Sequence, residues 1–550
     1  ERLAQGLQLC CSREMAMSGS WSEVKATGPM PSGGPHPGVW PLDVHNVKLL
    51  DNVHPRGWKN PQSPDGFVYD LIAIGAGAGG LVAAKQSARR GAKSALIEEH
   101  LAGGDCLNVG CVPSKALLRC ARAAAERAHA DLLGGVKRPR EEAEADFAKV
   151  MERMRRLRAQ IAPVDSLSTT TAAGADAFVG RGVFIGRNEI KVGEQTLRFK
   201  KAVICTGARA KVPPIPGLAE APYLTNANIF NLERAPPRLA VIGAGPIGVE
   251  LSQAFSRFGS QVTVLEGMNR IMGPEDPDAA AVIHQVLEQA GVKLMVGLKV
   301  DRVDFTAGEP WPEIRITVRR GEAAEPEIVV CDAFLVATGR APNVDGLGLE
   351  IAGVEFTPGI GVKVNDDLST SNPDIFAVGD VIHRPEFKFT HMAGTMAGMA
   401  VQNALFAESP DLPVNAPSRV LSEICVPRCT YTEPEVASCG LSNTEAATRA
   451  GVEFDVYTSS LEHNDRGILE GDNPAGFVKI LCKKGTEEIL GATIVAERAG
   501  DMLAELTLAV QYKLGLSQIA RTVHPYPTVG EIVQQAALNY NRARMQKLGS

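Results

Sequence analysis

Residues 69–98 read YDLIAIGAGAGGLVAAKQSARRGAKSALIE, and the fold follows from this stretch. Tyr69–Ile74 is an apolar run of strand length, GAGAGG is a glycine turn, LVAAKQSARRG carries helical spacing and SALIEE is a second short strand. Strand, turn, helix and strand make a βαβ unit. Gly75 permits the tight turn, Gly77 lets the backbone approach a pyrophosphate, and Gly80 allows helix and strand to pack closely. The helix N-terminus is left facing the phosphates. Glu98, 23 residues after Gly75, ends the second strand, where a carboxylate accepts hydrogen bonds from ribose hydroxyls.

The same pattern returns at 239–266 as LAVIGAGPIGVELSQAFSRFGSQVTVLE, with Gly243, Gly245 and Gly248 at the same spacing and Glu266 again 23 residues after the first glycine. One glycine fingerprint is weak evidence, since such glycines also serve ordinary tight turns. Two of them, each between strand and helix with an acidic residue in place, point to two dinucleotides and electron transfer between them. Glu266 repels a ribose 2′-phosphate and so favours NADH over NADPH, unless the nearby Arg270 compensates.

Composition agrees with a multidomain globular protein. The 550 residues are 45% hydrophobic and 22% charged, with a net charge of −6. No basic stripe with interleaved aromatics suggests nucleic acid, and no apolar run is long enough for a membrane span. Eleven cysteines at irregular spacing speak against a secreted disulfide scaffold and for a soluble intracellular protein, cytoplasmic or organellar. Residues 28–66 show little helical or strand periodicity, so 1–66 reads as a Pro/Gly-rich arm or linker with regular structure starting near Phe67. The Arg/Lys/Glu-rich run 137–158 reads as a solvated helix.

Between the two units, GGDCLNVGCVPSK (103–115) places Cys106 and Cys111 five apart around a turn-forming Asn-Val-Gly, with Lys115 following. Such a pair can close a small disulfide loop. Zinc needs two further ligands that no second Cys or His pair supplies, so no metal site is expected. Inert buried thiols would explain neither Lys115 nor the position beside a nucleotide unit. Cys10 and Cys11 read as incidental, and Cys425, Cys429, Cys439 and His463 as structural.

GAGAGG, GGDCLNVGCVPSK, GAGPIGVE, ATGRAPN (337–343), DIFAVGD (374–380) and YPTVGE (526–531) occur in that order, and from about Val68 onward the chain resembles the class I pyridine nucleotide-disulfide oxidoreductases, the family of dihydrolipoamide dehydrogenase, glutathione reductase and mercuric reductase. The resemblance implies an α/β fold with two Rossmann-like dinucleotide-binding domains in three layers, FAD at the first and NADH or NADPH at the second. It also implies an α+β C-terminal dimerisation domain and hence a homodimer. The expected division is 67–225 and 342–417 for the FAD domain, 226–341 for the NAD(P) domain and 418–550 for dimerisation.

By the same resemblance Cys111 is the flavin-facing thiol and Cys106 the outer thiol that exchanges with a small-molecule disulfide or metal-ion acceptor. Lys115 sits by the flavin and pairs with Glu250, Asp380 binds the ribityl chain, and Gly339 approaches the nicotinamide dinucleotide. Asp105 stands where the family usually has threonine. Thiol-disulfide members carry His-Pro-Thr, with a Glu three residues beyond, as acid/base for the outer thiol. Here the chain reads Tyr526-Pro527-Thr528 with Glu531, and His524 is two residues early. Two residues of displacement along an extended chain amount to about 6–7 Å. Mercuric reductases resemble this chain in having Tyr there, so a metal or electrophile acceptor ranks above a lipoamide- or glutathione-type disulfide. The chain has no C-terminal cysteine pair and no GMTCxxC-type domain before Phe67, which departs from mercuric reductase. A flavin-bound redox sensor is the reading of another class.

Overall fold

A computed structural model describes residues 38–128, 130, 134, 146–321, 324–407, 420–471 and 475–548. β1 (Val68–Ile74) and β2 (Ser94–Glu98) flank α2 (Ala78–Arg89), following α1 (Val44–Val53). The parallel sheet runs Ala175–Val179, β2, β1, Gln195–Ile204, Ile375–Ala377. Its strands are buried on both faces because helices and connections cover them, which is why β1 is apolar almost throughout. The hairpin Gly182–Val192 extends the sheet in antiparallel sense.

The second unit repeats this with β3 (Arg238–Ile242), α6 (Pro246–Arg257) and β4 (Gln261–Glu266), in a parallel sheet ordered Lys293–Val296, β4, β3, Ala333–Val336. An antiparallel meander, Lys299–Thr306, Glu313–Arg319 and Glu327–Cys331, packs against it. After α7 (Thr390–Leu405), which lies against α2, the chain forms a five-stranded antiparallel sheet backed by α8 (Ala499–Gln511) and α9 (Glu531–Leu548). The whole is an α/β architecture with two Rossmann-like regions followed by an α+β region. None of the helices among the described residues is long and apolar enough to cross a membrane.

Two readings of the sequence are corrected. Among the described residues regular structure is already present at Val44, well before Phe67: α1 is capped by the Asp43 carboxylate, which accepts from the His45 and Asn46 amides, and it buries Asn46, Leu49, Leu50 and Val53. Its ten residues are too short to stand out from the Pro/Gly-rich surroundings. The second concerns the basic run 137–158, of which 137–145 lie outside the described residues. Its remainder lies in α5 (Phe147–Ile161), a helix as expected and exposed along Lys149, Glu152 and Arg156, but packed on its other face: Phe147, Val150, Met151, Met154, Arg155 and Arg158 form one buried stripe at helical spacing. Two arginines complete that stripe, and a count of charges therefore hid it. Arg155 Nε donates to Asp43 at 2.5 Å, and Arg158 donates to Asn46 Oδ1 at 2.8 Å and to the Asn108 carbonyl at 2.5 Å. Cys10 and Cys11 lie outside the described residues.

Candidate active site

The turn after β1 is held by backbone bonds from Gly75 to the Ile97 carbonyl and from Cys205 to the Ile74 carbonyl, each 2.8 Å. Gly75 takes φ 99°, and a Cβ on Gly80 would stand 1.7 Å from the Gly75 oxygen. A side chain is sterically excluded there. The second unit matches it: Gly243 bonds the Leu265 carbonyl at 2.8 Å, and a Cβ on Gly248 would lie 2.1 Å from the Gly243 oxygen. α2 and α6 are capped by Gly77 and Gly245 with no side-chain hydrogen bond, so the amides of their first turns, which in α6 start at Ile247 because Pro246 has none, are available to an anion. Glu98 accepts from the Ala76 and His100 amides, and Glu266 from those of Ala244 and Met268 at 2.7 and 2.8 Å. Both acidic positions thus brace their own turns, a role the sequence reading did not include.

One cleft of about 2630 Å³ joins the two turns. Ordinary ligand pockets are about 300–1,000 Å³, so this one has room for more than one large ligand. It is lined by Gly75, Gly77, Glu98, Cys106, Cys111, Lys115, Gly243, Gly245, Glu250, Glu266, Gly339 and Asp380. Gly80 and Gly248 do not line it, in keeping with a packing role. Tyr526 and Glu531 lie outside it: Tyr526 is 69% exposed and donates to Asp465 at 2.8 Å, while Glu531 opens α9.

The cysteines sit on two consecutive helices, α3 (Gly104–Val109) and α4 (Cys111–Ala128), with Gly110 between them. Cys111 is the first residue of α4 and is exposed to the cleft; Cys106 is half-buried. A hydrogen bond from the Cys106 thiol, with help from Thr390 and the Lys115 cation and against desolvation, holds the Cys111 thiol down to about 6. Cys106 is pushed up by the same hydrogen bond and by burial. The asymmetry makes Cys111 the thiolate near neutral pH. Lys115 Nζ contacts Glu250 Oε2 at 2.8 Å and lies 4.3 Å over the Tyr431 ring, while Glu250 Oε1 accepts from the Tyr431 amide at 2.9 Å. Glu250 is buried, so the pair fixes where the cation stands beside Cys111.

Several contacts were not foreseen. Thr390 Oγ1 is 3.4 Å from Cys111 Sγ. Arg340 pairs with Asp105, so the residue in the threonine position carries an ion pair instead of a hydroxyl contact. The Asn108 carbonyl, between the cysteines, receives the fully buried Arg158, whose pKa burial lowers to about 10. None of these has a local motif; each joins residues far apart in the chain. His524 is engaged as well: its ring nitrogens face the Thr522 carbonyl at 3.0 Å and the Glu505 carboxylate at 3.0 and 3.1 Å.

The pyridine nucleotide-disulphide oxidoreductase family model matches residues 69–398, and that of the pyridine nucleotide-disulphide oxidoreductase dimerisation domain matches 426–537. The chain belongs to this family. It is 32% identical over 476 residues to mercuric reductase of Staphylococcus aureus, covering 86% of this chain and 83% of that one. With dihydrolipoyl dehydrogenase of Geobacillus stearothermophilus it shares 32% over 473 residues, 85% of this chain and 95% of that one. Among solved structures, the HOCl-induced flavoprotein disulfide reductase RclA from Escherichia coli has the same fold, with a TM-score of 0.72 at 24% identity over 86% of this chain and 99% of that one.

The chain is thus an NAD(P)H-dependent flavoprotein disulfide oxidoreductase of a family that is FAD-dependent and uses pyridine nucleotides. Its residues fit that pair of ligands. The two glycine turns leave backbone amides facing one cleft, and burial in that cleft raises the pKa of Asp380, a carboxyl suited to hydroxyl partners.

Proposed function

We propose that the protein oxidises NADH in preference to NADPH and delivers the electrons through Cys111 and Cys106 to a thiolate-bound soft metal ion of the mercuric type. FAD held on the first glycine turn supplies two-electron transfer between the nicotinamide and the disulfide. Glu266 selects against a 2′-phosphate, and Arg270 is already committed to Glu445 at 2.7 Å and to the Gly273 carbonyl at 2.9 Å. Lys115, anchored by Glu250, stabilises the Cys111 thiolate. Cys106 is the thiol that meets the acceptor.

Tyr526 carries the choice of acceptor. It occupies the family's histidine position with Glu531 in register, and the dimerisation domain supports a homodimer in which this exposed segment reaches the outer thiol of the other chain. The Asp465 carboxylate raises the Tyr526 phenol further above its usual range, which suits a hydrogen-bond donor and not a base. A metal dithiolate accepting two electrons needs no proton at sulfur, whereas disulfide exchange does. The mercuric reductase relatives agree with this reading.

Steady-state NADH oxidation with Hg(II), lipoamide, glutathione disulfide, quinones and oxygen tests it. Turnover should be fastest with Hg(II), and Tyr526→His should raise disulfide reduction, with Glu531 orienting the new imidazole. Loss of disulfide reduction in His524→Ala by the about 10²–10⁴-fold expected of a general base, with Tyr526→Phe silent, would establish a disulfide reductase instead.

A further inference from the structure

We propose that Cys425 and Cys439 form a second redox-active dithiol, which a low-molecular-weight disulfide entering the cleft oxidises to an intrachain disulfide. The two cysteines belong to neighbouring segments of the C-terminal sheet. Pro427–Thr430 pairs antiparallel with Glu435–Gly440, and Pro427 stands opposite Cys439. Cys425 lies two residues before Pro427, where the chain has left the ladder and its amide is fixed by Gln511 Oε1 at 2.7 Å. There it packs against the core cluster that contains Cys439, with the Cys439 thiol and the Gly440 amide as its hydrogen-bond partners. Cys439 is fully buried in the C-terminal core and is also met by Thr507, while Cys425 is half-buried and lines the cleft.

This is the division of labour that dithiol oxidation needs. The accessible sulfur attacks the incoming disulfide, and the buried one resolves the mixed disulfide that forms. Hydrogen bonds from Cys439 and Gly440 favour the Cys425 thiolate, which supports the same assignment. The step balances. The Cys425 thiolate attacks one sulfur of a disulfide RSSR and expels RS⁻, giving a mixed disulfide. The Cys439 thiol then loses its proton, attacks the Cys425 sulfur and expels the second thiolate, so two protein thiols are oxidised and RSSR is reduced to two RSH.

The nearby Cys429 does not share the role. Its sulfur faces Glu435 at 3.9 Å and burial pushes its thiol up, which leaves it a poor nucleophile.

The test uses the full chain with Cys106→Ser and Cys111→Ser together, so that the first pair cannot respond, and peptide mapping separates Cys425 and Cys439 from the remaining cysteines. Fully reduced protein is exposed to glutathione disulfide, free thiols are blocked with N-ethylmaleimide, and unreduced peptides are mapped by mass spectrometry. The expected result is a Cys425–Cys439 cross-linked peptide, with Cys439→Ser trapping glutathione on Cys425 and Cys425→Ser leaving Cys439 unmodified by glutathione. Both residues carrying N-ethylmaleimide after prolonged exposure would overturn the proposal, as would a stable glutathione adduct on Cys425 while Cys439 is still present. The same mapping on wild-type protein, which needs no substitution to fold, must show the same cross-link.

Discussion

The two nucleotide units have nearly the same backbone and quite different surroundings. Each turn has its positive-φ glycine, its carbonyl-blocked third glycine and a glutamate bracing two amides. Around the first, Gly77 is covered by the cysteine segment: a Cβ on Gly104 would come within 2.7 Å of the Gly77 Cα. Around the second, a Cβ on Gly245 would meet nothing within 4 Å. A closed turn suits a cofactor that stays, and an open one suits a coenzyme that comes and goes each cycle. What separates the units is thus the α3 segment carrying Cys106, which packs on the first turn and has no counterpart on the second.

Filling the glycines should have the largest effects. Gly80→Ala should leave the protein colourless, measured as the flavin-to-protein absorbance ratio, because the new Cβ has no room against the Gly75 carbonyl. Gly245→Ala should keep the colour and the melting temperature while raising the KM for NADH about tenfold or more, since the only obstacle to its Cβ is the coenzyme itself. A colourless Gly245→Ala protein would mean that the two units have been assigned in the wrong order.

Of intermediate size is the effect of removing the support under the cysteine segment. Arg158→Met leaves the Asn108 carbonyl and Asn46 without their partner, and chemical denaturation should show a loss of about 1–3 kcal/mol. If Arg158 also positions the cysteines, the same variant shifts the disulfide midpoint potential. The smallest effect is expected at coenzyme choice. Glu266→Ala should narrow the NADH-over-NADPH ratio of kcat/KM by about 1–2 kcal/mol, five- to thirtyfold, as the repulsion of a 2′-phosphate is relieved. A wild type that prefers NADPH would show that a cation near the ribose outweighs Glu266.

What could be read from the sequence followed the same division. Both nucleotide turns, the cysteine pair and the Lys115–Glu250 partnership rest on motifs that state their geometry locally or by family spacing, and the structure brings these residues into one cleft. Helix α1 and the buried stripe of α5 were missed because their burial depends on each other: Asp43 needs Arg155, and Asn46 needs Arg158. A polar residue buried by a distant polar partner leaves no hydrophobic period to detect. Tyr526 is the opposite case. Its register is legible in the sequence, but within one chain it contacts Asp465 and not the cysteines.

With Cys111 as the thiolate facing the flavin and Cys106 as the outer thiol, the visible spectrum under anaerobic NADH reduction distinguishes the two sulfurs. The wild type should develop a long-wavelength thiolate-to-flavin band that fades as the pH falls through about 6, where Cys111 takes up its proton. Cys106→Ser should show such a band without any reductant, and Cys111→Ser should show none under any condition. A band of wild-type form in both variants after reduction would show that neither cysteine holds the place assigned to it.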